Sequence, residues 1–185
     1  EGTKTWNDAN DQDGKRPGKI TVNLLADGDI YATKEVTEAD GWKYNFTDLP
    51  KYKNGNKITY TITEDTVEDY QTLVNGYDIT NSYTPGKTSV SVTKAWDDAD
   101  NQDGKRARNI KVRLLADGNV VADSEVDLSD ANNWSHTWSD LDINKNGSPI
   151  EYTVEEITSV EGYATVITGS AKTGYIIKNS YTPET

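Results

Sequence analysis

The chain has 185 residues, of which 34% are hydrophobic and 27% charged, and its formal net charge is −12. This length is enough for one large or two small domains, and the composition is polar without being that of a disordered chain. The negative charge excludes nucleic acid and anionic membrane as expected partners, since both attract cations. There is no cysteine, so the chain cannot be stabilised by disulfides.

Short runs of alternating polar and apolar residues predict β-strands along the first half of the chain. In chain order, the strand-like runs include residues 19–25, 30–36, 42–46, 57–64 and 77–83. Asp-Gly and Asn-Gly dipeptides, which favour tight turns, lie between these runs. No helical period of useful length is present. The sequence therefore predicts an all-β fold of the β-sandwich class.

The second half of the chain repeats the first. Residues 4–16 match residues 94–106 almost position by position, and residues 81–85 return as residues 179–183. A repeat of this length is a whole domain rather than a solenoid unit. We therefore predict two tandem domains, residues 1–86 and 87–185. The largest insertion in the second copy, around residues 169–174, predicts a longer hairpin loop.

Each copy places a lysine, a glutamate and an asparagine on the apolar face of a predicted strand. The six residues are Lys4, Glu64 and Asn81 in the first copy and Lys94, Glu156 and Asn179 in the second. Residues two apart on a strand share a face, so Lys94 is expected beside Val92 and Trp96 in the core. Burying a charged group without a partner costs several kcal/mol or more. The repeated trio therefore calls for a chemical explanation.

Two explanations are open from the residues alone. One is a buried Lys–Glu ion pair with the asparagine hydrogen-bonded nearby, an arrangement that often adds little net stability. The other is an amide bond between the lysine amine and the asparagine carboxamide. Burial would supply a neutral amine as nucleophile, and a protonated glutamate would polarise the carboxamide and relay the proton to departing ammonia. This bond would join the first and last strands of each domain, as the staple that a small domain needs.

The remaining acidic motifs do not fit a metal site. The loop at residues 8–13 and the loop at residues 142–147 both lack the glutamate that an EF-hand carries at its twelfth position. His136 is the only histidine, which excludes the commoner zinc sites and any catalytic triad repeated in both copies. We expect His136 on a strand, facing solvent. The sequence therefore predicts no metal and no cofactor.

Four aromatic residues are predicted to alternate along paired strands and to belong to the core rather than to a sugar-stacking platform. They are Trp42, Phe46, Trp134 and Trp138.

Three motifs give the chain a family resemblance. They are Lys-x-Trp-x-Asp followed by Gln-Asp-Gly-Lys-Arg, then Tyr-Thr-Ile-Thr-Glu or Tyr-Thr-Val-Glu-Glu, and finally Asn-Ser-Tyr-Thr-Pro. They cover both copies nearly end to end, and on them the chain resembles the Cna B-type domain family. The resemblance implies two tandem inverse immunoglobulin-like (prealbumin-like) β-sandwiches. It also implies isopeptide bonds from Lys4 to Asn81 and from Lys94 to Asn179, assisted by Glu64 and Glu156.

The resemblance further implies a structural role. Domains of this type form a stalk that lifts a ligand-binding region away from a Gram-positive cell wall, so we expect an extracellular, wall-anchored protein. The expected partners are neighbouring domains of the same chain: an N-terminal ligand-binding region, further repeats and a wall anchor. We expect a monomer that performs one self-modifying reaction per domain and is not a multiple-turnover enzyme. Two alternatives remain: a module that itself binds a matrix protein such as collagen, and a segment of a backbone pilin.

Overall fold

The computed structural model describes all 185 residues, Glu1–Thr185. The chain forms two compact units, whose main segments are Glu1–Pro85 for the first and Gly86–Lys145 with Pro149–Thr185 for the second. Helical structure is confined to two single turns of 3-10 helix, and neither is long or apolar enough to cross a membrane.

The first unit is built from nine strands in two main sheets. The strands are β1 (Gly2–Asn7), β2 (Lys19–Ala26), β3 (Asp29–Thr37), β4 (Lys43–Tyr44), β5 (Tyr52–Lys53), β6 (Asn56–Lys57), β7 (Tyr60–Glu64), β8 (Gln71–Asn75) and β9 (Asp78–Ser82). One sheet has the order β4-β1-β9-β8 and the other β3-β2-β7, while β5 and β6 form a small hairpin.

The second unit repeats this arrangement with ten strands. They are β10 (Lys87–Asp97), β11 (Asn109–Ala116), β12 (Asn119–Val120), β13 (Val126–Ser129), β14 (Ser135–Asp142), β15 (Asn144–Lys145), β16 (Ser148–Pro149), β17 (Tyr152–Glu156), β18 (Ala164–Ser170) and β19 (Gly174–Ser180). One sheet has the order β14-β10-β19-β18, and in the other β11 pairs with β12, β13 and β17.

In each unit the first and last strands are hydrogen-bonded neighbours that run parallel. β1 pairs with β9, so that Lys4 lies opposite Ile79 and Trp6 opposite Asn81. β10 pairs with β19 in the same register, with Trp96 opposite Asn179. The other strand pairs of the main sheets, and the β5–β6 hairpin, are antiparallel. The sheet therefore brings the two ends of each domain side by side.

A separate core of hydrophobic side chains lies between the two sheets of each unit. The buried cluster of the first unit comprises Ile20, Val22, Leu24, Val36, Tyr44, Ile62 and Ile79. In the second unit it comprises Val90, Val92, Ile110, Val112, Leu114, Leu128, Trp138, Tyr152, Val154 and Ile177. Residues two apart on the strands contribute together, so the predicted alternation identifies the inward face.

The observed strands differ from the predicted ones in four places. The predicted run 42–46 shrinks to β4, because Trp42 follows a 3-10 turn in the left-handed region (φ 56°). The run 57–64 divides into β6 and β7. β8 was not predicted, because all five of its residues are exposed and show no apolar alternation. The insertion near residue 170 mainly lengthens the hairpin strands, from 5 to 7 residues each, rather than its loop.

Candidate functional site

The predicted trio comes together in the core of the first unit. Lys4 and Asn81 lie on adjacent strands of one sheet, and Glu64 reaches Lys4 from β7 of the other sheet. Asn81 is the diagonal neighbour of Lys4 on the core face, a separation that a long side chain can span. The side chains of Lys4 and Glu64 are both fully buried, and so is Asn81. Two sheets are therefore needed to assemble the site.

In the first site, the side-chain carboxamide of Asn81 makes no hydrogen bond. Lys4 Nζ donates to Glu64 Oε1 at 2.7 Å. Neither Nδ2 nor Oδ1 of Asn81 has a hydrogen-bond partner, although both atoms are buried. Leaving buried polar atoms unpaired costs about 1–3 kcal/mol. The first unit tolerates this cost at both polar atoms of Asn81, which is consistent with a use for the carboxamide other than stability.

The second site connects the same three groups through one carboxylate. Asn179 Nδ2 donates to Glu156 Oε1 at 3.0 Å. Lys94 Nζ lies 3.2 Å from Glu156 Oε2, within ion-pair distance but outside hydrogen-bond geometry. Glu155 points away from this site and pairs with Arg113 at the surface. The two neighbouring glutamates of β17 therefore point in different directions, and only Glu156 contacts the asparagine and the lysine.

The surroundings of both lysines favour the neutral amine. Burial lowers the pKa of Lys4 below its ordinary value, although the hydrogen bond and charge of Glu64 oppose this shift. Burial likewise lowers the pKa of Lys94 against the opposing effect of Glu156. A lowered amine pKa raises the fraction of nucleophile that has a free lone pair. Each unit thus buries a lysine of lowered pKa together with a carboxyl and a carboxamide.

A tryptophan ring backs each lysine. Lys4 Nζ lies 4.0 Å from the centre of the Trp6 ring, and Lys94 Nζ lies 4.3 Å from that of Trp96. Trp6 meets Trp42 edge to face, at 5.2 Å between ring centres. The predicted core role of the four aromatic residues agrees with the structure, where Trp138 is buried and the other three pack against the cores.

The acidic loop of the first unit also packs near Trp6. Asp8 is only 2% exposed and receives two hydrogen bonds from the Arg16 guanidinium, while the Tyr70 hydroxyl donates a third. Arg16 also lies over the Trp6 ring, 5.4 Å from its centre. Asp8, Arg16 and Tyr70 thus form a clamp beside Trp6. In the sequence this loop was considered only as a candidate metal site, so the clamp was not predicted. The signal was the eight-residue Asp-to-Arg spacing, which is identical in both copies.

The second unit contains the same clamp. Arg106 binds Asp98 through two nitrogens, and the Tyr163 hydroxyl donates to the same carboxylate at 2.9 Å. The Arg106 hydrogen bonds, with help from Tyr163, lower the pKa of Asp98 to about 2. Burial, together with the hydrogen bond to Asp98, raises the pKa of Tyr163 to about 12. The carboxylate is therefore held ionised by its partners.

This clamp predicts acid-sensitive stability. Because the pKa of Asp98 is lowered on folding, its contribution is present above about pH 4, the unfolded value, and is lost as the pH falls toward about 2. The free energy of unfolding of wild type should exceed that of Asp98→Asn by about 2 kcal/mol more at pH 6 than at pH 2. Denaturant titrations followed by tryptophan fluorescence at several pH values measure this difference. A difference that stays constant across the range would contradict the prediction.

His136 does not face solvent as predicted. It is half-buried on β14, with its ring edge-on to Trp138 at 5.0 Å between centres, and burial lowers the pKa of its imidazole. Because His136 is two residues before Trp138, it shares the inward phase of that strand. No group of three or more histidine, cysteine, aspartate or glutamate side chains in the structure is placed to hold a metal ion.

The family described as the Cna protein B-type domain matches the sequence twice, at residues 1–82 and 90–180. The chain belongs to this family. The Cna B-type chain is 53% identical over 184 residues to the collagen adhesin of Staphylococcus aureus, covering 100% of its own length and 16% of that protein. It therefore corresponds to a small part of that relative.

Two solved structures of B repeat units resemble the Cna B-type chain. One is the single B1 unit of the S. aureus collagen-binding surface protein, with 52% identity, a TM-score of 0.51, and coverage of 98% of this chain and 97% of that one. The other is the B1B2 pair from the same protein, with 53% identity, a TM-score of 0.52, and coverage of 100% and 49%. The predicted fold class, all-β with two tandem inverse immunoglobulin-like sandwiches, is confirmed.

Proposed function

We propose that this chain is a stalk segment of a Gram-positive surface adhesin, in which a Lys–Asn isopeptide bond closes each domain. The bonds join Lys4 to Asn81 and Lys94 to Asn179. The observation that carries the proposal is the buried trio, built twice, with the lysine on the first strand, the asparagine on the last strand and the glutamate on a strand of the other sheet. The collagen adhesin similarity supports an extracellular, wall-anchored setting, with neighbouring domains of the same chain as partners.

The reaction needs only the groups of each trio. The neutral lysine Nζ attacks the asparagine Cγ, so a carbon–nitrogen bond forms and the carbonyl electron pair moves to Oδ1. The protonated glutamate delivers its proton to Nδ2 and takes one from the attacking nitrogen, so it ends as it began. The Cγ–Nδ2 bond then breaks, the carbonyl re-forms and one ammonia leaves. The fold supplies most of the acceleration by holding the groups together. Because the reaction consumes its own residues, each domain reacts once.

The intact mass under denaturing conditions tests this proposal. The wild-type chain should be lighter than the sum of its residues by two ammonia molecules. Glu64→Ala and Glu156→Ala should each lack one of these losses, after correction for the substitution, because each removes the proton carrier of one domain. Tandem mass spectrometry of digested chain should find Lys4 linked to Asn81 and Lys94 linked to Asn179.

Glu155→Ala provides the matched control. It removes a neighbouring carboxylate on the same strand that lies outside the trio, so both ammonia losses should persist. A wild-type mass equal to the sum of its residues would refute the isopeptide bonds.

A collagen-binding module is the second candidate, favoured by the name of the 53% identical relative. The two functions differ in what an immobilised collagen surface retains. A stalk segment should pass over the surface without retardation, whereas a binding module should be held in a saturable way. Retention that persists in Glu64→Ala and Glu156→Ala would assign binding to this segment independently of the cross-links.

A further inference from the structure

A threonine lies directly opposite the reacting asparagine in both domains. Thr72 on β8 is the register partner of Asn81, and Thr165 on β18 is the register partner of Asn179. In each unit this threonine belongs to the edge strand of the sheet that carries the lysine and the asparagine. Register partners share a face, so both hydroxyls are carried toward the site.

The two hydroxyls contact different members of the same trio. Thr165 Oγ1 donates to Asn179 Oδ1 at 3.0 Å. Thr72 Oγ1 instead donates to Glu64 Oε2 at 2.9 Å, while Glu64 Oε1 accepts from Lys4. One domain therefore shows the hydroxyl on the carboxamide oxygen and the other shows it on the carboxylate. Rotation about the Cα–Cβ bond of a threonine changes which neighbouring group its hydroxyl reaches.

We propose that Thr72 and Thr165 are catalytic residues that donate a hydrogen bond to the asparagine Oδ1 as the amide bond forms. This inference rests on the isopeptide bonds proposed above. Negative charge develops on Oδ1 when the amine attacks Cγ, and a hydrogen-bond donor already aimed at that atom stabilises the charge. The hydroxyl proton stays on the threonine throughout, and the carbonyl re-forms when ammonia leaves.

The first domain shows why such a donor is needed. Asn81 Oδ1 is buried and has no hydrogen-bond partner, so negative charge that develops on it needs a donor that turns toward it. Thr72, directly across the strand pair, carries a neutral donor to this region of the site. Its hydrogen bond to Glu64 Oε2 also leaves Glu64 Oε1 directed at Lys4 Nζ. Lys4 Nζ is the atom that must lose a proton. The Thr72 hydroxyl thus first hydrogen-bonds the carboxyl of Glu64, and then hydrogen-bonds Asn81 Oδ1 when negative charge develops there.

Removing one hydroxyl tests the role in one domain at a time. Thr165→Val keeps the shape and strand propensity of the side chain but removes the donor, whereas Thr165→Ser keeps the donor. The full chain is synthesised in a cell-free reaction, chased for increasing times and quenched in denaturant, and peptide mapping follows each bond separately. Thr165→Val should form the Lys94–Asn179 bond about tenfold more slowly, the value of one lost hydrogen bond, and leave the Lys4–Asn81 bond unchanged.

The matched variants separate catalysis from structure. Thr72→Val should slow only the first bond, and Thr165→Ser should restore the wild-type rate within about twofold. Thr168→Val, the same change on the opposite face of β18, should leave both rates unchanged. Wild-type rates in Thr72→Val and Thr165→Val, or slowing that serine does not rescue, would overturn this inference while leaving the cross-links intact. Absence of both bonds from the wild-type chain would overturn the proposed function itself.

Discussion

Pulled from its two ends, each domain should release no chain from the segment between its lysine and its asparagine. Force enters the first domain through β1 and leaves through β9, two parallel neighbours that an isopeptide bond would join at Lys4 and Asn81. With the bond closed, the load bypasses the enclosed segment. Without it, residues 4–81 would release roughly 260 Å of chain, at about 3.4 Å per residue.

Single-molecule force spectroscopy on the tandem chain measures this difference. Glu64→Ala should add one extension step of about 260 Å, while the second domain stays closed. Glu156→Ala should add one step of about 290 Å, because residues 94–179 enclose a longer segment. The surface variant Glu155→Ala should add none. Steps of these lengths in the wild-type chain would mean that the strands are held by hydrogen bonds alone.

The parallel pairing of the end strands explains why a bond at this position is mechanically effective. Opposite forces on the start of β1 and the end of β9 slide the two strands past each other. Sliding loads all the hydrogen bonds between them together, rather than opening them one by one. A covalent bond beside this ladder stops the sliding before the ladder can fail. The proposed stalk role thus follows from the location of the bond as well as from its strength.

The sequence predicted which residues of the site face inward better than it predicted how the strands around them are arranged. Period-two alternation put Lys94, Glu156 and Asn179 on inward faces. The internal repeat places the same three residue types at equivalent positions of the first copy, so the pattern is not a coincidence of one strand. Alternation reports which face a residue occupies, but it does not report which strand lies beside it. The parallel pairing of β10 with β19, and the approach of the glutamate from the other sheet, therefore became visible only in the structure.

Other features were missed because their signal is not local. The exposed edge strand β8 shows no alternation of polar and apolar residues. Neither the strand nor the position of Thr72 could therefore be predicted from the sequence. The Asp8 and Arg16 clamp depends on Tyr70, which is far away in sequence. Trp42 and Trp134 adopt left-handed backbone that a β-pattern does not anticipate for aromatic residues.

Replacing the charged pair by hydrophobic residues separates a cross-link from an ion pair by the sign of the stability change. The double variant Lys4→Met with Glu64→Leu removes both buried charges and supplies aliphatic side chains of similar size. If the two groups formed only a buried ion pair, this exchange would be neutral or would stabilise the domain by about 1–4 kcal/mol. If Lys4 is bonded to Asn81, the exchange also opens a loop of 78 residues in the unfolded state, and the free energy of unfolding should fall by about 4–5 kcal/mol.

Denaturant titration of the full chain measures the change, with the untouched second domain as internal reference. The dependence of the unfolding free energy on denaturant should also steepen for the first domain, because an unfolded chain without the cross-link exposes more surface. Lys19→Met with Glu35→Leu is the matched control, since it removes a surface ion pair of the same unit and should change stability by less than about 1 kcal/mol. A free energy of unfolding equal to or above that of wild type in the Lys4 and Glu64 double variant would show that Lys4 is not bonded to Asn81. The asparagine would then be a core residue with two unpaired atoms, and the end strands would be held only by their ladder.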